Sequence, residues 1–158
     1  NPFQFLRQIR DPMLVAFSTN SSAATMPVSI QTAEEKLKVR SSTARFIIPI
    51  GATINMDASA LYQGLATIFI AQLYGIDLSI GAQIAIVLTA VGASIGTPAT
   101  PGVGIIILSS VLVSVGIPVE GLTLLIGIDR ILELFRSSLN VAGDLVATTV
   151  MDRFLKKS

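Results

Sequence analysis

Asp129, Glu133, Arg136, Ser137, Asn140 and Asp144 stand at offsets of 0, 4, 7, 8, 11 and 15 residues in the last apolar segment of the chain. At 100° per residue they share an arc of about 100° on one helical face. The rest of that segment is aliphatic or aromatic, with Ile126, Ile131, Phe135, Leu139, Val146 and Val150 among its members. A stripe of charge and amide on an otherwise greasy helix predicts a buried site. Arg136 offers a planar fork that suits a carboxylate, Glu133 an anion that suits an amine, and Asn140 a group that donates and accepts at once. The competing reading is a structural Glu133–Arg136 pair at i, i+3 that neutralises itself. That reading leaves Asp129, Asn140 and Asp144 on the same arc without a role.

Asp57 and Asp144 suit a different task. A hard monovalent cation takes carboxylate and carbonyl oxygens, and an unwound stretch such as Gly51 to Asp57 frees carbonyls from the helix ladder. A helix cap at a kink is the plainer reading of Asn55 and Asp57. For Ser21 and Ser22, in the polar run STNSSAA (Ser18 to Ala24), simple turn chemistry competes with a helix N-terminus that attracts the anionic end of a ligand.

The elements that position these residues follow from hydropathy. Leu78 to Val119 is 42 residues without an ionisable group, about 63 Å as one helix against a hydrocarbon core of about 30 Å. It has to break, and SIGTPATPGVG (Ser94 to Gly104), with two prolines and three glycines, is where. The remaining arms are each too short to cross, which predicts a re-entrant hairpin. Upstream, Asp11 to about Lys38 reads as a second, more polar hairpin, and Arg45 to Tyr74 as one long apolar element interrupted at GATINMDAS (Gly51 to Ser59). The expected organisation is therefore all-α and membrane-embedded: a first hairpin over 1–40, a broken transmembrane helix over 41–76, a second hairpin over 77–119 and a polar-striped transmembrane helix over 120–152. Paired interrupted segments of this kind mark secondary transporters built from inverted repeats.

Composition agrees. The chain of 158 residues is 51% hydrophobic and 13% charged, with a mean hydropathy of +0.73, well below the roughly 25% charged residues of soluble domains. A soluble helical protein would have to bury the whole uncharged run. With no cysteine and no histidine there is no thiolate or imidazole site, which argues against an enzyme using hydrolytic or metal-redox chemistry. A net charge of +1 with no long basic run gives no nucleic-acid footprint. The first residues, NPFQFLRQIRDP, lack an apolar core of signal-peptide length, so the start reads as the interior of a longer protein. Nine of the eleven Lys and Arg (Arg7, Arg10, Lys36, Lys38, Arg40, Arg45, Arg153, Lys156, Lys157) fall on one face in this topology, the cytoplasmic one by the positive-inside rule.

NMDAS at Asn55 to Ser59 resembles the NMDGT motif of the glutamate/dicarboxylate:cation symporter family, which includes the excitatory amino acid transporters and archaeal aspartate transporters. STNSSAATMPV, SIGTPATPGVG and GIDRILELFRSSLNVAGD extend the resemblance in order across the chain. It implies the C-terminal core of a transport domain, with the N-terminal helices, including the scaffold of a homotrimer, lying outside this sequence. By that resemblance Arg136 holds the substrate side-chain carboxylate and Glu133 its amino group, with Ser137, Asn140 and Ser59 completing the contacts. Ser21 and Ser22 at the first tip and Thr100, Pro101 and Gly102 at the second would close on the main-chain carboxylate. Sodium would sit at Gly51, Asn55, Asn140 and Asp144, and at Thr53, Met56, Ser94, Ile95 and Thr97. A third site would pair Asn55 and Asp57 with an earlier helix.

Some positions depart from the family pattern. Glu133 stands where the family usually has Asp, one methylene shorter. Ala58 and Ser59 replace the usual Gly and Thr, and Asn20 stands where relatives often have Arg or Ser. Asp144 is retained where proton-coupled relatives tend to carry Asn. The implied function is sodium-coupled symport of aspartate or glutamate in the cell membrane, with no cofactor beyond the coupling ions. The alternatives are a C4-dicarboxylate or proton-coupled carrier of the same family and, from another class, a structural or channel-like helical bundle.

Overall fold

The computed structural model describes residues 1–95 and 102–156. Among them there are helices and no strands: α1 (Pro2–Gln8), α2 (Arg10–Thr19), α3 (Ser22–Glu35), α4 (Ser41–Ile54), α5 (Asp57–Leu73), α6 (Ile80–Ser94), α7 (Val103–Ser114), a short 3-10 turn (Val119–Gly121) and α8 (Leu122–Leu155).

Local chemistry explains most boundaries. Asn20 adopts the left-handed conformation (φ 52°, ψ 36°) that ends α2, one that Asn tolerates better than most side chains. Ser21 then caps α3 by accepting the Ala24 N–H at 3.2 Å. Gly75 and Gly116, both at positive φ, close α5 and α7 in the same way. Ile76 N–H reaches the Ala71 carbonyl at 2.9 Å and Ile117 N–H the Leu112 carbonyl at 3.0 Å, the six-to-one bond of a glycine-terminated helix.

The interruption expected over Gly51 to Ser59 is narrower than that. Only Asn55 and Met56 leave the helix between α4 and α5. Gly51 stays helical because its carbonyl accepts the Asn55 N–H at 2.8 Å, and Met56 already accepts the Ala60 N–H at 2.9 Å. The missing side-chain cap of α5 comes from elsewhere, as described below.

Two apolar clusters organise the packing. One joins Ile9, Ala16, Ala33, Val39, Ala44 and Ile48 to Val141 and Leu145. The other joins Ala66, Ile70, Ala71, Ile86, Leu108, Leu112 and Ile117 to Leu125. Helix α8 serves both, its N-terminal half closing the second cluster and its C-terminal half the first. At one end of the molecule basic and acidic groups from distant parts of the chain converge. Arg40 Nε donates to Asp152 Oδ1 at 2.7 Å, Lys156 pairs with Asp152 at 2.6 Å, and Arg45 pairs with Glu34 at 3.0 Å. Lys36 donates to Asp11 and holds that carboxyl below the usual carboxylate range.

The surface is inverted relative to a water-soluble domain. Phe3, Phe46, Leu61, Leu65, Ile80, Leu88, Ile106 and Val113 are all exposed, whereas Asp129, Glu133, Arg136, Asn140 and Asp144 are buried. Among the described residues no helix is both long and apolar enough to cross a membrane by itself. The broken element is divided into helices of 14 and 17 residues, and α8, at 34 residues and about 51 Å, carries the polar stripe.

Leu112 is fully buried in the second cluster while its neighbour Val113 is 66% exposed. Leu112→Ala is expected to destabilise the protein by about 2 to 5 kcal/mol, whereas Val113→Ala changes little. Thermal unfolding of both variants in detergent checks the contrast.

Candidate functional site

The periodicity of α8 decides which groups face inward. Ile131, Phe135, Leu139 and Val146 line its exposed side, and Asp129, Glu133, Arg136, Asn140 and Asp144 its buried one, with Ser137 half-buried at the edge. Four hydrogen-bonded groups follow one another along that buried face.

Nearest its N-terminus, the Arg136 side chain runs back along the helix, as helical side chains do, and its Nη2 donates to Asp129 Oδ1 at 3.1 Å. The guanidinium lies 3.9 Å over the ring of Tyr62 on α5. Its Nη1 is buried and has no hydrogen-bond partner among the described residues. Gly104 at the start of α7 makes room for it, since a Cβ there would lie 2.9 Å from Nη2. The self-neutralising Glu133–Arg136 pair therefore does not form: Arg136 takes Asp129, two turns back, as its carboxylate.

Glu133 has other partners. Its Oε2 accepts the Asn20 amide at 2.6 Å and Arg130 Nη1 at 3.0 Å, and its Oε1 accepts the Gly102 N–H at 2.6 Å. Ser137 Oγ donates to Asn20 Oδ1 at 2.7 Å. One carboxylate thus ties the α2–α3 turn to the start of α7.

Two turns beyond Glu133, Asn140 supplies the cap that α5 lacks. Its Oδ1 accepts the Ala58 N–H at 3.0 Å, while its Nδ2 donates to Ser59 Oγ at 3.1 Å and contacts Met56 Sδ at 3.2 Å. The next turn places Asp144, whose Oδ1 accepts Asn55 Nδ2 at 3.0 Å. Gly51 and Gly143 permit this approach. A Cβ on Gly51 would lie 2.6 Å from Asp144 Oδ1, and one on Gly143 2.8 Å from Asn55 Nδ2. Asp144, Asn55, Asn140 and the neighbouring backbone offer hard oxygens, the donor type that a sodium ion takes. Among the described residues no group of three His, Cys, Asp or Glu is arranged to hold a metal ion.

The anticipated residues are thus distributed unevenly. Glu133, Arg136, Ser137, Asn140, Asn55, Met56, Ser59, Gly51, Gly102 and Asp144 converge on α8 or lie on it. Ser22 is buried, and Ser21 caps α3. Thr53 and Asp57 are exposed, the Thr53 hydroxyl donating to the Ile50 carbonyl at 3.0 Å. Ser94 is buried, its hydroxyl 2.8 Å from the Ala90 carbonyl and 3.2 Å from Gln63 Oε1, and Ile95 is exposed. Thr97, Thr100 and Pro101 lie outside the described residues.

Asn20, Tyr62, Arg130 and Gly104 join the site without having been selected from the sequence. The signal available for Arg130 and Tyr62 was their polarity: a charge adjoining the stripe, and a Tyr-Gln pair within an apolar helix.

A family model described as "Sodium:dicarboxylate symporter family" matches residues 1–154. The chain belongs to the sodium:dicarboxylate symporter family. Its relatives in that family include excitatory amino acid transporter 3 of Mus musculus, 45% identical over 157 residues, and that of Homo sapiens, 44% identical over 157 residues. A putative sodium-dependent excitatory amino acid transporter of Caenorhabditis elegans is 43% identical over 153 residues. These alignments cover 97 to 99% of this symporter-family chain, which spans about 30% of the length of each relative.

Gly51→Ala pushes a methyl group into Asp144 and disrupts its bond to Asn55, with an expected cost of about 1 to 3 kcal/mol. Gly64→Ala meets nothing within 4 Å on α5 and is expected to be neutral or slightly stabilising, by up to about 1 kcal/mol. Thermal unfolding of the two variants separates close approach from helix propensity.

Proposed function

We propose that this chain is the core of the transport domain of a sodium-coupled symporter that carries acidic amino acids across the cell membrane by alternating access. The observation that carries this reading is Arg136, a buried guanidinium with one nitrogen unpartnered among the described residues. Asp129 holds one side of it and the Tyr62 ring supports its face. A donor of that kind, kept from water, is suited to bind a ligand carboxylate through charge-assisted hydrogen bonds. The names of the relatives, excitatory amino acid transporters, fit a carboxylate-bearing substrate.

In this reading Arg136 takes the side-chain carboxylate, Glu133 the amino group, and Ser137, Asn140 and Ser59 the remaining polar atoms. Ser21 and Ser22 and the segment ending in Thr100, Pro101 and Gly102 close on the main-chain carboxylate, the α6–α7 hairpin acting as the extracellular gate. Sodium takes oxygens at Gly51, Asn55, Asn140 and Asp144, with further ions at Thr53, Met56, Ser94, Ile95 and Thr97 and at Asp57. Asn140 sits in both sets, contacting the start of α5 on one side and lying two turns from Glu133 and one from Asp144 on the other. Ion and substrate therefore stabilise a shared element, and the coupling is reciprocal.

Other features support a membrane setting. The exposed aliphatic surface suits lipid or the helices of a scaffold, and α2–α3 and α6–α7 read as two re-entrant hairpins beside the broken helix α4–α5 and the striped helix α8. The basic residues gathered around Asp11, Glu34 and Asp152 fit a cytoplasmic face. The full-length protein is then a multi-pass membrane protein, assembled as a homotrimer through helices outside this chain.

A second reading, a carrier of C4-dicarboxylates, is favoured by one observation: the Glu133 carboxylate already accepts three hydrogen bonds, which leaves less of it for a substrate amine.

Isothermal titration of the full-length protein with aspartate tests the main reading. Affinity is expected to rise with sodium concentration, and Arg136→Asp to abolish binding. Sodium-independent affinity, or unaltered binding by the variant, would overturn it. Competition by succinate decides between the two substrate classes.

A further inference from the structure

We propose that Arg130 is a specificity-determining residue that sets the preference between acidic substrates with and without an amino group, by competing with that group for Glu133. This rests on the reading of Glu133 and Arg136 given above.

A carboxylate has about four acceptor positions, and at Glu133 three are engaged, by the Asn20 amide, the Gly102 N–H and Arg130 Nη1. Asn20 and Gly102 are neutral donors. They fix the carboxylate without cancelling its charge, so an ammonium group approaching it would still meet an anion. Arg130 is different, because it brings a full positive charge to the same oxygen that Asn20 uses.

Arg130 also differs from the rest of the cluster in where it stands. Its side chain is 70% exposed while that of Glu133 is 8% exposed. It helps line a groove of about 330 Å³ with Thr19, Asn20, Ile131 and Leu134. An arginine anchored at one end in a buried acceptor and otherwise in the open is displaceable, since pairs with an exposed partner contribute only modestly. A substrate ammonium gains Glu133 by releasing Arg130 outward. A dicarboxylate without an amine leaves the Arg130–Glu133 pair in place and benefits from its cancelled charge. The Glu133 carboxylate meets Asn20, Gly102 and Arg130 together, Arg130 standing one turn back at i−3.

The test measures sodium-dependent binding of aspartate and of succinate to the full-length protein and its variants. Arg130→Gln is expected to raise the aspartate-to-succinate affinity ratio on the order of threefold to fivefold. Arg130→Lys, which keeps a cation within reach of Glu133, is expected to hold the ratio near that of the unmodified protein. In a Glu133→Gln background the Arg130→Gln effect on the ratio is expected to vanish, which a merely structural role for Arg130 would not produce. An unchanged ratio in Arg130→Gln, or a fall in aspartate affinity, overturns the inference while leaving sodium-coupled binding intact. Absence of saturable, sodium-dependent binding of either ligand to the unmodified protein overturns the functional reading itself, and this inference with it.

Discussion

Everything in this structure answers to the cost of placing ionised groups inside an apolar shell. A carboxylate or guanidinium taken out of water carries a penalty of several kcal/mol unless it is paired and hydrogen-bonded. Helix α8 buries Asp129, Glu133, Arg136 and Asp144 along one face, so the chain around it is arranged to supply partners. Arg136 lies against Asp129 and Tyr62, Glu133 gathers donors from three segments, and Asp144 takes the Asn55 amide. The breaks in the other helices lie where they meet this need: Asn20 at the end of α2, Asn55 at the end of α4 and Gly102 ahead of α7 each present a polar group to α8.

This explains why the two apolar clusters are separate. Leu125 of α8 joins one and Val141 and Leu145 the other, with the charged stretch from Asp129 to Arg136 between them. Asn140 is the pivot of that helix's polar face. By accepting the Ala58 N–H it caps α5 from another helix, so the position of the α4–α5 break depends on α8. A ligand or ion that moves Asn140 acts on α5 as well, which gives the proposed coupling between ion and substrate a physical route through one side chain.

The sequence made the large divisions legible and left the pairings obscure. The uncharged run around Leu78 to Val119, with its proline and glycine punctuation, predicted a break, and α6 ends at Ser94 while α7 begins at Val103. The interruption at GATINMDAS was legible as a place but not in extent. Glycine and asparagine lower helix propensity, yet the Gly51 carbonyl still finds the Asn55 N–H, and only two residues unwind. Spacing left a Glu133–Arg136 pair open as the plainer reading, because i, i+3 neighbours are close on any helix. Tertiary contacts supplied better partners for both, since Gly104 leaves room for Arg136 to lie against Tyr62 and the Asn20 turn reaches Glu133.

The sequence by itself determined that the chain is helical, that its last helix has a polar face within an apolar body, and which family it belongs to. Those properties follow from periodicity, composition and motif order, which are fixed along one dimension by helix geometry. Only the tertiary structure decided that Asp129 and not Glu133 holds Arg136, that Asn140 caps α5, and that Asn20, Arg130 and Gly102 meet on one carboxylate. Partner choice among buried charges depends on which donors from distant segments arrive within hydrogen-bonding distance, and spacing along a single helix carries no information about that.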